Sequence, residues 1–394
     1  MMNTATIEQA ITQRLQQVAE WGSVGDRVPR RLIYMIEITG FCSLGCPVCY
    51  ASAGPTPNLH MPLGRILALG RKIRDDGGRL VQLIGGEPAE HPNVVEIVSG
   101  LRRIGLRPSM ATNGLRLAEE SSFAAGLRRG GLRKVNIQFD TFNADTSIAM
   151  RGRNLINLKC KAVANAAAAG IRVGLIATMC DRNVHEASGI LQYALSHMPE
   201  LNTVTFQTMT LSGRFPADIF PVDRPTILRH LLKTTSEIGL DLSPQDILPP
   251  PQYPPWRALT HPECASMIFL CRDGSTLPVW PLGRDVNLEQ FYAMLQTVDT
   301  TGHGMRNSVL RPALALWRST RQGARLATLQ RMIALATGRG KRSLCVIQID
   351  AVMDSANPDP ERARRCPACF VTEQGFKNVC ARYWDSPEEG NPAP

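Results

Sequence analysis

Residues 34–50 read Tyr34-Met-Ile-Glu-Ile-Thr-Gly-Phe-Cys42-Ser-Leu-Gly-Cys46-Pro-Val-Cys49-Tyr50. An alternating apolar run leads directly into three thiols within eight residues, so a strand delivers a tight cysteine loop at its end. Three thiolates hold only three irons of a 4Fe–4S cube and leave the fourth iron open to an outside ligand. A tetrahedral zinc site needs a fourth protein ligand, and none stands close in sequence. A zinc knuckle completed by a distant Cys or His is the alternative reading.

Outward from this loop, short β-branched runs alternate with helical patterns. Strands are expected at 32–38, 80–84, 107–112, 134–140, 172–178 and 203–208. Helices are expected between them at 63–75, 94–105, 119–129, 155–169 and 187–196. Six such alternations predict an α/β fold with a parallel sheet and right-handed crossovers, a partial (β/α)6 TIM-like barrel over residues 31–215. Chemistry in such barrels sits at the C-terminal ends of the strands. The cysteine loop and four polar motifs all fall there: Gly85-Gly86-Glu87-Pro88, Thr112-Asn113-Gly114, Gln138 with Asp140, and Gln207 with Ser212-Gly213-Arg214.

The pattern resembles the radical S-adenosylmethionine (SAM) superfamily, whose signature is Cys-x3-Cys-x2-Cys on the loop after the first barrel strand. The resemblance implies that Cys42, Cys46 and Cys49 ligate a catalytic 4Fe–4S cluster. It further implies that the open iron chelates the amino and carboxylate groups of SAM, and that electron transfer releases a 5′-deoxyadenosyl radical. A reductant such as flavodoxin or ferredoxin is then expected. By the same resemblance Gly85, Gly86, Glu87 and Pro88 receive the SAM amino group. Thr112, Asn113, Gln138, Asp140 and Gln207 face the ribose, methionine or adenine parts, and Arg151 suits the carboxylate. One departure is Val48, where an aromatic residue usually precedes the third cysteine; Tyr50 is expected to compensate.

Residues 216–260 are proline-rich and read as a connecting segment around a helix at 225–238. Residues 261–394 read as a smaller cysteine-containing, cluster-binding module. Its thiols Cys264, Cys366, Cys369 and Cys380 make a set of four, which suits a second, closed 4Fe–4S cluster or a structural zinc. This layout resembles the radical SAM subgroup that includes archaeal tetraether lipid synthase and the methylase of the methanopterin pathway. Those relatives place two terminal cysteines side by side, whereas Pro367 and Ala368 separate them here, and the N-terminal cysteine site of the best-known members is missing. A related terminal motif occurs in the radical SAM enzyme of arsinothricin biosynthesis. The other thiols, Cys160, Cys180, Cys271 and Cys345, read as core residues, and His261 as a neighbour of Cys264 or a turn cap.

Composition narrows the function class. No run of eighteen apolar residues exists, and charged or amide residues interrupt the start of the chain. Residues 1–30 are read as an N-terminal amphipathic helix, with Thr6 as N-cap, Gln9 closing a capping box and Ile7, Ile11, Leu15 and Val18 on one face. A cytoplasmic location follows, in which clustered cysteines are metal ligands rather than disulfides. The net charge of +10 concentrates in residues 301–349, which hold nine Arg and Lys and no acid. An anionic small-molecule or lipid substrate, or a membrane surface, fits that charge, and nucleic acid is not expected. A helix at 311–337 is predicted to bury Leu314, Trp317, Leu326, Leu329 and Ile333. Three functions are compared: hydrogen abstraction from an unactivated C–H bond with formation of a new carbon bond, 3-amino-3-carboxypropyl transfer to trivalent arsenic, and a non-catalytic metal-binding adaptor. The adaptor leaves the GGEP, TNG and SGR motifs without a purpose.

Overall fold

The computed structural model describes residues 4–22, 31, 33–56, 59–248, 261, 263–272, 282–296, 310–330, 343–354 and 356–381. Six strands follow one another in chain order and in space: β1 (Ile33–Thr39), β2 (Leu80–Gly85), β3 (Arg107–Thr112), β4 (Lys134–Gln138), β5 (Arg172–Met179) and β6 (Leu201–Thr208). All five pairings between them are parallel. The crossovers carry α2 (Leu63–Asp75), α3 (Val94–Arg103), α4 (Leu115–Glu119), α5 (Ser121–Gly130), α6 (Ala144–Arg151), α7 (Ile156–Ala168) and α8 (Ala187–Ser196). This is the partial barrel expected from the alternation of patterns.

Strand alternation decides which face is core. In β1, Tyr34, Ile36 and Ile38 are fully buried and pack with Ile66, Leu69 and Ile73 of α2 in the main core. Fully burying such a side chain stabilises the fold by about 1.5–3 kcal/mol. The opposite face carries the polar residues. Met35, Gln82 and Ser109 are neighbours in register across β1–β3, and Gln138, Ile176 and Thr205 across β4–β6. Half-buried side chains, among them the Gln82 and Gln138 amides and the Ser109 and Thr205 hydroxyls, therefore line the side of the sheet away from the helices.

Residues 261–394 join this sheet at both edges. The strand β8 (Ser343–Asp350) pairs parallel with β6, and β7 (Ala265–Arg272) pairs antiparallel with β8. At the other edge β9 (Ala368–Val371) pairs parallel with β1, and β10 (Phe376–Asn378) closes antiparallel on β9. The order is β10-β9-β1-β2-β3-β4-β5-β6-β8-β7. The terminal cysteine motif thus runs beside the strand that delivers the first cysteine loop.

Helix ends and one stripe differ from expectation. The first helix, α1, spans Thr4–Gly22, so Thr6 lies inside it and is no N-cap. Its buried face holds Ile11 and Val18, with Ile7 and Leu15 packed alongside. In the proline-rich segment, Asp223 caps α9 (Arg224–Thr234) by accepting from the Thr226 amide at 2.9 Å. Residues 249–260 lie outside the described ones. The helix expected at 311–337 stops at Ser319, because the Arg325 guanidinium binds the Thr320 carbonyl and Thr320 bridges to Val286. That break resets the helical phase, and Ala315 is buried while Leu314, Leu326 and Leu329 are exposed. Ile333 and the basic residues Arg306, Arg331, Arg339, Lys341 and Arg342 lie outside the described residues.

Candidate active site

The cysteine loop leaves β1 and is fastened at both ends. Cys42 donates its amide to the Gly54 carbonyl at 2.9 Å, and Ser43 is held by Glu90, amide to carboxylate at 2.9 Å and hydroxyl to carboxylate at 2.5 Å. Cys49 exchanges two backbone hydrogen bonds with Arg214. The Arg214 guanidinium also donates to the carbonyls of Cys46 (2.6 Å) and Ala53 (2.8 Å). Gly213 makes this contact possible: it sits at φ +69, and a Cβ there would stand 2.4 Å from the carbonyl oxygens of Cys49 and Tyr50. The SGR motif after β6 is therefore a clamp on the thiol loop.

The GGEP motif ends β2 against the same loop. The Gly86 amide donates to the Thr39 carbonyl and the Glu87 amide to the Phe41 carbonyl, both at 2.7 Å. A Cβ on Gly86 would lie 2.1 Å from the Phe41 oxygen. Gly86→Ala should therefore displace the cysteine loop. The expected result, read by urea unfolding, is a loss of about 1–3 kcal/mol of stability, the scale of overpacking in a filled site. Gly64→Ala is the control, since a Cβ there meets nothing within 4 Å.

The side chains of Glu87 and Thr112 bond to each other, which leaves the backbone carbonyls of the Gly85–Pro88 turn as the acceptors that the resemblance gave to the SAM amino group. The buried Glu87 carboxylate accepts from the Thr112 hydroxyl (2.6 Å), the Asn113 amide (2.6 Å) and the Ala89 amide (2.9 Å). Burial pushes its carboxyl up to about 7, against the pull of those three donors. Its work is to tie the end of β2 to the end of β3. Pro88 opens the short turn Pro88–Glu90 that follows.

Asp140 and Arg151 are likewise committed to each other. Arg151 Nε and Nη2 reach the two Asp140 carboxylate oxygens at 2.7 and 2.9 Å, and Nη1 donates to the Val48 carbonyl at 2.6 Å. Asp140 also accepts the Thr178 amide at 2.9 Å. Burial opposes both charges, but each partner outweighs it, holding the Asp140 carboxyl below the usual range and Arg151 above it. Three of the five N–H groups of this guanidinium, read as the partner of the SAM carboxylate, thus have partners inside the protein. Val48 packs with Met150, Cys180, Met209 and Ile219 in a small apolar cluster beneath the loop, and Tyr50 is exposed.

At the same strand ends stand buried donors without acceptors. Asn113 Nδ2, Gln138 Nε2 and Ser212 Oγ are shielded from solvent and have no hydrogen-bond partner. They come from the ends of β3 and β4 and the loop after β6, the positions expected to meet SAM. Orphaned buried donors mark a place where a ligand supplies acceptors. Gln207, one residue before the end of β6, is in register with Asp350 of β8, whose carboxyl is pushed up to about 6 by burial.

The thiols themselves are free. Burial pushes Cys42 up to about 12 and raises Cys46, while Arg151 and Lys159 act on Cys46 in the opposite sense. Among the described residues no three His, Cys, Asp or Glu side chains stand close enough to grip a single metal ion. An iron–sulfur cube takes one thiolate per iron, so its ligands do not converge on a point.

Lys159 is the residue that the sequence reading missed. It is 4% exposed on α7, and its ammonium donates to the Gln138 carbonyl at 2.5 Å and to the Gln138 side-chain oxygen. Burial brings it down to about 8. The signal was available, since position 159 shares a helical stripe with Val163 and Ala166, both buried.

At the C-terminal end, burial raises Cys264, Cys366 and Cys380, and Cys366 is in electrostatic reach of the other two. Cys369 is not brought to them. It lies inside β9 in register with Tyr34, buried in the main core near Arg31 and Asp76. Cys366, by contrast, precedes the strand, where it bonds the Ala368 backbone and the Asn378 side chain within electrostatic reach of Cys264 and Cys380. The expected set of four is therefore a set of three, with the Arg362 guanidinium against Cys264. Asp354 links this end to the active site by accepting the Leu211 amide at 2.7 Å, just before Ser212. Cys160, Cys180 and Cys345 are core or core-flanking thiols, as read; the Cys271 side chain lies outside the described residues.

Residues 36–194 match the Radical SAM superfamily. The chain is similar to 7,8-dihydro-6-hydroxymethylpterin dimethyltransferase of Methanocaldococcus jannaschii, 25% identical over 66% of this chain and 55% of that protein. It is also similar to a probable GTP 3′,8-cyclase of Methanothermobacter thermautotrophicus, 34% identical over 31% of this chain and 40% of that one. The chain thus spans about half of these relatives or less. Among solved structures, Streptococcus suis SuiB bound to S-adenosylmethionine shares 13% identity over 59% of this chain and 51% of that chain, with a TM-score of 0.46. No helix among the described residues is long and apolar enough to cross a membrane.

Proposed function

The chain carries a radical SAM domain, and from that premise we propose that it cleaves SAM reductively and abstracts hydrogen from an unactivated C–H bond, forming a new carbon bond on its substrate. The family uses a 4Fe–4S cluster and SAM; here Cys42, Cys46 and Cys49 would hold the cluster. When bound, the cluster supplies the electron that breaks a carbon–sulfur bond of SAM. The observation that carries the reading is the set of orphaned donors, Asn113 Nδ2, Gln138 Nε2 and Ser212 Oγ, around a thiol loop clamped by Arg151 and Arg214. These groups fit a polar cofactor that arrives with its own acceptors.

The chain's own residues do three things. Gly86 and Gly213 let backbone approach the loop closely, Glu87 and Asp140 fix the strand ends, and the apolar cluster under Val48 keeps water from that side. The substrate is a small molecule or lipid, met with a reductant such as a flavodoxin or ferredoxin.

Aminocarboxypropyl transfer to trivalent arsenic is the second reading: soft thiolates suit arsenic, and Cys264, Cys366 and Cys380 are in electrostatic reach of one another, although they do not converge on a single atom. The same three thiols would equally hold part of a second 4Fe–4S cluster. One anaerobic reaction with SAM and reductant separates the chemistries. Hydrogen abstraction is expected to give 5′-deoxyadenosine and methionine. Methylthioadenosine that rises on adding arsenite would replace it with the transfer reaction.

A further inference from the structure

We propose that Lys159 acts through Gln138 to recognise the carboxylate of SAM, in the place that the resemblance gave to Arg151. Lys159 is in this sense a positioning residue, and the inference rests on the proposed function.

Three of the five N–H groups of Arg151 are committed to Asp140 and to the Val48 carbonyl, and its charge is already paired with that carboxylate, which makes it a poor partner for a second one. Because Asp140 and Arg151 neutralise each other, Lys159 brings an additional positive charge to this corner, beside Arg214, whose guanidinium is given to the Cys46 and Ala53 carbonyls. It lies in electrostatic reach of Cys46, Asp140, Arg151 and Glu87, which places it at the thiol loop.

An ammonium has only donors. By donating to the Gln138 carbonyl and to its side-chain oxygen, Lys159 forces the amide to present oxygen toward α7 and its NH2 away from it. That NH2 is buried and has no acceptor. A buried donor of this kind carries a desolvation cost until an acceptor arrives. A carboxylate is acceptor-only, and its charge complements the lysine behind the amide. Gln138 is the last residue of β4, at the end of the barrel where the thiol loop sits. Asn113 Nδ2 and Ser212 Oγ remain for the hydroxyl and ring acceptors of the same ligand.

The test uses the anaerobically reconstituted protein and two calorimetric probes. S-Adenosylhomocysteine carries the carboxylate; methylthioadenosine has the same adenine and ribose without it. Lys159→Met is expected to weaken S-adenosylhomocysteine about 10- to 100-fold, the range of one charge-assisted hydrogen bond. Methylthioadenosine should change less than about twofold, a factor too small for a lost hydrogen bond. Gln138→Leu, which spares the lysine, should reproduce that selectivity, and Lys159→Arg should keep most of the affinity because it can donate to the same oxygens. Iron content equal to wild type confirms that each variant is folded and loaded. An equal loss for both probes in Lys159→Met, or no loss for either, overturns the inference, as does a Gln138→Leu protein that binds like wild type. A wild-type protein that binds neither probe contradicts the proposed function and this inference with it.

Discussion

Replacing Cys42, Cys46 and Cys49 together by alanine is expected to remove about four irons per chain and to abolish SAM cleavage, because one thiolate serves each of three irons in a 4Fe–4S cube. Alanine at these positions removes little packing. Cys42 alone of the three is buried, and the backbone of the loop is held by bonds that do not involve the thiols: Cys42 to Gly54, Cys49 to Arg214, and Arg214 to Cys46 and Ala53. The variant should therefore keep its fold and its thermal midpoint in the iron-free form. Iron analysis and chromatography of the SAM fragments check the outcome. Iron that stays at the wild-type level would assign the metal to the C-terminal thiols.

The second large effect is on stability. Arg151→Met leaves Asp140 as a buried carboxylate with one remaining donor, the Thr178 amide. Breaking a buried ion pair on one side costs about 3–5 kcal/mol. The same change frees the Val48 carbonyl between Cys46 and Cys49, so iron retention should fall as well. Urea unfolding measures the first consequence and iron content the second. The double variant Asp140→Asn with Arg151→Met should recover much of the stability but not the anchoring of the loop. A single-variant loss below about 1 kcal/mol would mean that water already reaches the pair.

Much of this was legible because the signals are periodic or local. Strand alternation in residues 33–39 and the spacing of Cys42, Cys46 and Cys49 need no knowledge of distant partners. The orphaned donors of Asn113 and Gln138 were found at strand ends for the same reason. Side-chain commitments were not legible. Whether Arg151 faces a ligand or Asp140, and whether Glu87 faces SAM or Thr112, depends on which groups the fold brings within about 3 Å, the hydrogen-bonding range. Both residues turned inward because buried charges are stable only when paired or hydrogen-bonded. Cys369 was grouped with Cys366 by spacing, yet two intervening residues and the start of β9 send the two thiols to different surroundings. The stripe failed at Leu326 and Leu329 because a break at Thr320 ends helical periodicity, which a sequence pattern does not register; before the break, Ala315 and not Leu314 is the buried residue.

The most direct test is the electron paramagnetic resonance spectrum of the reduced, reconstituted protein before and after SAM is added. An open iron on a cluster held by three cysteines binds the added SAM, so the spectrum should change on addition, and 5′-deoxyadenosine should accumulate as the signal decays. A cluster spectrum unchanged by SAM, with no cleavage product, would contradict ligation by Cys42, Cys46 and Cys49 at an open site.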